Sequence, residues 1–131
     1  MTREALCEAA CAARLTAYAP YSECLVGAAL LAESGEVYTG CNVENASYGA
    51  TLCAERTAFT KAVSGGERKF KRIAIAGGKG ETVDGGFPPC GMCRQVMAEF
   101  CAPDFEVLVV TGASTYTAYT LGELMPVVFH L

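Results

Sequence analysis

No apolar run in this 131-residue chain is long enough to cross a membrane, because a spanning helix needs about 20 consecutive apolar residues. The stretch that follows Met1-Thr2-Arg3-Glu4 is rich in alanine, but Glu8 and Arg14 interrupt it, so it offers no signal-peptide core. Charge is scarce, at 18% of residues against 52% hydrophobic. So little polar surface points to an oligomer that hides apolar area between subunits. Basic residues are scarcer still, 10 against 14 acidic ones for a net charge of −4. The one basic cluster, Glu67-Arg68-Lys69-Phe70-Lys71-Arg72, follows Gly65-Gly66 and reads as a solvated loop entering a strand. A nucleic-acid partner is therefore not expected, nor is a membrane. Linkers, repeats and low-complexity segments are also missing, so residues 1–131 are expected to form one domain. Cysteine, by contrast, is plentiful, with eight residues. In a chain expected to be cytoplasmic, that number argues against a disulfide framework and for metal binding or burial.

Hydrophobic periodicity predicts a helix over residues 2–18, with Thr2 as N-cap and Leu6, Ala9, Ala10, Ala13 and Ala17 on one stripe, ended by Pro20-Tyr21-Ser22. Residues 25–32 and 36–43 read as two strands joined by a turn at Ser34-Gly35. A helix over 52–63 closes on Ser64-Gly65-Gly66, as helix C-termini prefer. A buried strand at 72–76 and a Gly/Lys/Asp/Pro loop reaching Pro89 come next. They are followed by a helix over 90–100, a strand at 105–110, a weaker one at 116–119 and a short helix at 121–125. A hairpin followed by alternating strands and helices implies α/β architecture, a three-layer α/β/α sandwich around a mixed five-stranded sheet.

Two segments carry chemistry: Cys53-Ala54-Glu55 and Pro89-Cys90-Gly91-Met92-Cys93. Each sets metal-capable cysteines at an expected helix start, where backbone N–H groups and the helix dipole stabilise thiolates. Three protein ligands leave one tetrahedral position open, which marks catalytic rather than structural zinc. Zinc lowers the pKa of bound water from about 15.7 to about 7. The reaction also needs a proton carrier that does not bind metal. Glu55 follows Cys53 by two residues, so it shares the cavity only if Cys53 sits at the helix edge. Three thiolates also make the site electron-rich, and Arg56 is placed to hydrogen-bond a ligand sulfur and draw charge off it. Cys-x-Glu followed by Pro-Cys-x-x-Cys is the zinc deaminase signature.

With these motifs the sequence resembles the small homotetrameric cytidine deaminases of pyrimidine salvage. The resemblance runs through Ala19-Pro20-Tyr21-Ser22, Val26-Gly27-Ala28-Ala29-Leu30, Gly40-Cys41-Asn42-Val43-Glu44-Asn45-Ala46, Cys53-Ala54-Glu55-Arg56-Thr57-Ala58 and Pro89-Cys90-Gly91-Met92-Cys93-Arg94-Gln95-Val96. It implies one zinc ion per subunit on Cys53, Cys90 and Cys93, with Glu55 as proton shuttle. It also implies that Asn42 and Glu44 hold the ribose 3′-hydroxyl, which an amide and a carboxylate can satisfy as donor and acceptor. Ala54 would contact the base through its backbone, Tyr48 would lie near subunit contacts, and Phe129 would reach a neighbouring subunit's site. The chemistry implied is hydrolytic attack at C4 of cytosine, with Glu55 protonating N3 and then the departing amine.

One position departs from the family pattern Tyr-Ser-x-Phe-x-Val-Gly-Ala, whose Phe stacks on the pyrimidine: here it is Cys24. Base stacking is worth about 1–3 kcal/mol, so its loss implies weaker substrate binding, a different base, or another aromatic in its place. That departure keeps a related aminopyrimidine nucleoside such as blasticidin S as an alternative substrate. A non-catalytic zinc-stabilised binding module is the alternative from another class. Cys7, Cys11, Cys24, Cys41 and Cys101 are expected mostly to be buried as small apolar residues, and His130 is not expected to be a ligand.

Overall fold

In the computed structural model, which describes residues 1–131, the chain opens with helix α1 (Arg3–Ala13). The Thr2 hydroxyl caps it by accepting from the Ala5 N–H at 3.1 Å. The helix ends earlier than its alanine pattern suggests. A 3-10 turn at Arg14–Thr16 follows, and Leu6, Cys7, Ala10 and Arg14, rather than Ala13 or Ala17, face inward. A hairpin then forms from β1 (Cys24–Ala32) and β2 (Val37–Cys41), turning at Gly35 in the left-handed region at φ 95°. Strand β2 is shorter than residues 36–43. Asn42 and Val43 leave the ladder, and Val43 bridges instead to Tyr18 and Leu52.

Helix α2 (Ala54–Ser64) is followed by β3 (Phe70–Lys79), α3 (Gly91–Phe100), β4 (Glu106–Val110), β5 (Tyr116–Thr120) and α4 (Leu121–Leu124). The sheet order is β2-β1-β3-β4-β5, with β3 and β4 parallel and every other pair antiparallel. The mixed five-stranded sheet is thus as expected, because α3 supplies the crossover that a parallel pair requires.

Helices cover both faces. On one, Leu6, Cys7 and Ala10 of α1 pack on Ala29, Leu31, Ala74, Ala76, Leu108 and Val110. Small residues bring helix and sheet close together. A Cβ at Gly27 would lie 2.2 Å from the Ala10 carbonyl oxygen. On the other face, α2 and α3 bury Ala58, Phe59, Ala62, Cys93 and Met97 against Ala28, Leu30, Ile73, Ile75, Val107 and Val109. Phe59 centres an aromatic group there, 5.1 Å from the Phe70 ring and 6.1 Å from that of Phe105.

Strand β3 is longer at both ends than 72–76. Gly77 and Gly78, which read as loop, continue the ladder opposite Val26 and Leu25. The basic cluster is accordingly only part loop. Arg68 donates to the carbonyls of Val63 and Glu67, while Arg72 sits within β3 and pairs with Glu106 at 3.0 Å.

Candidate active site

The N-termini of α2 and α3 converge. Cys53 is the N-cap of α2, with extended backbone at φ −74° and ψ 155°, and Cys90 is the N-cap of α3. Cys93 lies one turn inside α3 and is buried. Neither cap side chain hydrogen-bonds its helix, so both sulfurs are free to point elsewhere. They point at each other. Cys53 Sγ is 3.8 Å from Cys90 Sγ, which is 3.5 Å from Cys93 Sγ, and all three lie within 4.8 Å of one another.

Tetrahedral zinc with Zn–S bonds of about 2.3 Å gives sulfur–sulfur edges of about 3.8 Å. The observed spacing fits that ion. The N-termini of two helices end at this cluster, and their dipoles offset part of the negative charge that a metal-holding sulfur set carries. No fourth Cys, His, Asp or Glu joins the cluster, and His130 lies instead in a hollow with Ala98, Cys101 and Leu121.

Arg56 supplies the counter-charge. Its Nη2 donates to Cys53 Sγ at 3.4 Å and to the Thr51 carbonyl at 3.3 Å, while its Nε is buried without a partner. A half-buried guanidinium with a donor to spare is what an electron-rich sulfur set needs beside it. The Cys53 thiol is pulled down to about 5 by a hydrogen bond from Cys93 and then by Arg56, against its own burial. Cys93 is pushed up by the same hydrogen bond, by burial and by the neighbouring charges of Glu55 and Cys53.

Glu55 follows in the first turn of α2 and is 5% exposed. Because Cys53 is outside the regular helix, both residues face one cavity. Burial raises the Glu55 carboxyl to about 7, with the nearby Cys53 charge adding to the rise. A carboxyl that is half protonated near neutral pH can both accept and return a proton.

The cavity has a volume of about 360 Å³, within the usual range for small-molecule sites. Besides Cys53, Cys90 and Glu55, its lining includes Ser22, Cys24, Val26, Asn42, Glu44, Thr51, Leu52, Ala54, Phe87 and Pro88. Asn42 is held rigidly, its Oδ1 accepting from the Val26 N–H at 2.9 Å and its Nδ2 donating to the Cys24 carbonyl at 2.8 Å. Glu44 accepts from the N–H groups of Tyr21 and Ser22 and from the Ser22 hydroxyl at 2.5 Å. The Ser22 hydroxyl, then the Ser22 and Tyr21 amides, hold its carboxyl below the usual range. It remains an anion. The turn that presents these donors contains Glu23 at φ 62°, a left-handed conformation that non-glycine residues rarely adopt.

The structure therefore gathers Asn42, Glu44, Ala54, Glu55 and the cysteines, with Arg56 behind Cys53. It does not bring Tyr48 or Phe129 into this cavity. Tyr48 is 79% exposed in an adjoining hollow beside Tyr21, and Phe129 is 67% exposed on the C-terminal segment. Of the five other cysteines only Cys7 is fully buried, and Cys24 lines the cavity itself. Ser22, Thr51, Leu52 and Phe87 were not singled out by the sequence. For Phe87 the available signal was the two glycine pairs that precede it, Gly77-Gly78 and Gly85-Gly86. A second hollow, of about 410 Å³, lies at the opposite end of β1 and β3 among Phe70, Phe100 and Phe105, and it contains no metal-ligating cluster.

Comparison with known proteins gives a consistent picture. The family model for the "Cytidine and deoxycytidylate deaminase zinc-binding region" matches residues 1–109. The cytidine deaminase of Sporosarcina psychrophila is 49% identical over 117 residues, covering 89% of this chain and 83% of that protein. The cytidine deaminase of Halalkalibacterium halodurans is 47% identical over 129 residues, covering 98% and 95%. The crystal structure of cytidine deaminase from Burkholderia pseudomallei superposes with a TM-score of 0.89 at 48% identity, covering 98% of this chain and 100% of that one. The blasticidin-S deaminase of Bacillus cereus is more distant, at 32% identity over 105 residues.

Proposed function

The chain belongs to the cytidine and deoxycytidylate deaminase family, and from that premise we propose that it hydrolyses cytidine and 2′-deoxycytidine to uridine and 2′-deoxyuridine, releasing ammonia. One observation carries the reading: three zinc-spaced sulfurs cluster beside a buried carboxyl raised to about 7, and Cys53, Cys90 and Glu55 of that group line a cavity of nucleoside size.

Held by Cys53, Cys90 and Cys93, zinc supplies Lewis acidity that makes water nucleophilic near neutral pH. The remaining work falls to the protein. The Glu55 carboxylate takes a proton from the water that attacks C4 and delivers it to N3 of the ring. The hydroxyl proton left on the C4 oxygen follows the same route to the exocyclic amine as the C4–N bond breaks. Ammonia leaves, and the ring keeps a carbonyl at C4 and a proton on N3. Glu44, immobilised by Tyr21 and Ser22, and Asn42, immobilised by Cys24 and Val26, hold the ribose hydroxyl. Their fixed donors and acceptors reduce the ordering cost of binding. Ala54 meets the base through its backbone, and Arg56 steadies the Cys53 thiolate.

We further infer a homotetramer in which Tyr48 lies at a subunit contact and Phe129 reaches a neighbour's site. Their exposure, with that of Val43, Leu52 and Val127, supports an apolar contact surface. Eight unpaired cysteines support a reducing, cytoplasmic setting, where the activity serves pyrimidine salvage. The higher identity to cytidine deaminases favours cytidine over blasticidin S. A substrate panel read by the ultraviolet change on deamination tests that choice. Ammonia release from cytidine that stops on chelation tests the reaction. Glu55→Gln is expected to keep zinc while turnover falls at least about 100-fold, and an active variant would refute its role.

A further inference from the structure

The apolar wall of the cavity consists of Cys24, Val26, Leu52, Phe87 and Pro88, and Phe87 is the only aromatic ring among the lining residues. We propose that Phe87 binds the pyrimidine face of the substrate, stacking from a seat that exists because residue 77 is glycine. The inference rests on the cytidine reading above and names the residue that recognises the base.

Paired residues on antiparallel strands project to the same face of the sheet. The β1–β3 register sets Val26 opposite Gly77 and Cys24 opposite Lys79. Val26 lines the cavity, so a side chain at position 77 would point into the same space. Phe87 fills it instead. A Cβ built on Gly77 would lie 2.4 Å from Phe87 Cγ and 2.7 Å from Cδ2. The ring thus takes the place of a strand side chain, beside Val26 and one pleat from Cys24.

The chain returns to this seat along a fixed path. The Asp84 N–H donates to the Gly77 carbonyl at 2.9 Å, and the Gly86 N–H donates to Asp84 Oδ1 at 2.8 Å. Gly78 lies so near Thr82 that a Cβ there would be 1.8 Å from the Thr82 carbonyl oxygen. Arg14, 1% exposed, ties the turn to the start of β1, donating to the carbonyls of Leu25 at 3.0 Å and of Gly78 and Gly80 at 2.8 Å each. A half-buried ring held by such a loop is ordered before substrate arrives, so stacking carries little entropic cost. Val26, Leu52 and Pro88 present no π face to a base.

Steady-state kinetics of the zinc-loaded enzyme on cytidine test the assignment. Phe87→Leu keeps apolar bulk over Gly77 and is expected to raise KM about five-fold or more with kcat largely preserved. Phe87→Tyr, which retains a ring, is expected to stay close to wild type in KM. Adding Cys24→Phe to the Phe87→Leu variant puts a ring back on the same wall and recovers most of the loss. Gly77→Ala, which leaves Phe87 in place but displaces its ring, is expected to raise KM in the same way. With an active wild type, a Phe87→Leu KM within about two-fold of wild type, or a loss confined to kcat, overturns the inference. A wild type that releases no ammonia from cytidine overturns the underlying reading and the inference with it.

Discussion

Arg56→Met should weaken zinc binding by about 10- to 100-fold and so destabilise the zinc-loaded protein more than the metal-free one. The guanidinium donates to Cys53 Sγ at 3.4 Å, and a hydrogen bond to a charged group is worth about 1.5–3 kcal/mol. Converted at about 1.4 kcal/mol per decade, that spans roughly one to two orders of magnitude in affinity. The metal-free protein also loses the Cys53 contact, while two further changes oppose each other. The Thr51 carbonyl loses its donor, about 0.5–1.5 kcal/mol net, but the buried and unpartnered Nε disappears, relieving a penalty of about 1–3 kcal/mol. Methionine also keeps most of the side-chain packing. Equilibrium competition against a chromophoric chelator measures the zinc affinity, and thermal melting of metal-free and zinc-loaded protein separates the two effects. An unchanged zinc affinity, or an equal loss of stability in both forms, would refute the assignment of Arg56 to the metal centre.

Gly40→Ala should destabilise the protein by about 1–3 kcal/mol and lower zinc occupancy together. A Cβ there would lie 2.6 Å from both the Ala54 carbonyl and the Ala58 nitrogen, pushing the first turn of α2 off β2. Denaturant melts and metal content check it, and full stability with full occupancy would contradict the close approach. Glu106 bonds Arg3 at 2.6 Å and Arg72 at 3.0 Å, and its carboxyl is held below the usual range by Arg3 first, then by Arg72. A depressed folded-state pKa stabilises fully above the unfolded value near 4.3, and the gain is lost as pH falls through the folded value. The pair is partly exposed, so the effect is no more than about 1 kcal/mol. Wild type should therefore melt above Glu106→Gln at pH 7, with the gap closing in acid. A gap independent of pH would count against the linkage. Alkylation of native protein at pH 8 should spare Cys7 and Cys101, whose burial raises them to about 11 and about 12. Rapid labelling of either, read by peptide mass, would contradict those raised values.

The metal centre was legible in the sequence because its parts are local. Cys53-Ala54-Glu55 and Cys90-Gly91-Met92-Cys93 each sit at a helix start, and two of the three candidate ligands are the N-caps themselves. The mixed-sheet α/β/α architecture followed for a similar reason, since alternating strands and helices allow few arrangements. What the sequence hid was set by long-range packing. Gly77 and Gly78 have the composition of a loop, yet they extend β3 because a distant ring and a turn need the space their side chains would occupy. Arg14 interrupts an apolar helix face and so looks like a surface residue. It is buried because carbonyls some 64 residues away, in the Gly78–Thr82 turn, take up its donors. Phe87 has no periodic pattern around it, and only the three-dimensional return of its loop to β1 shows where its ring goes.

X-ray absorption at the zinc edge of the purified, metal-loaded protein tests the coordination most directly. Three sulfur scatterers at about 2.3 Å and one lighter scatterer are expected. Four sulfurs, or fewer than three, would contradict a catalytic centre built from Cys53, Cys90 and Cys93.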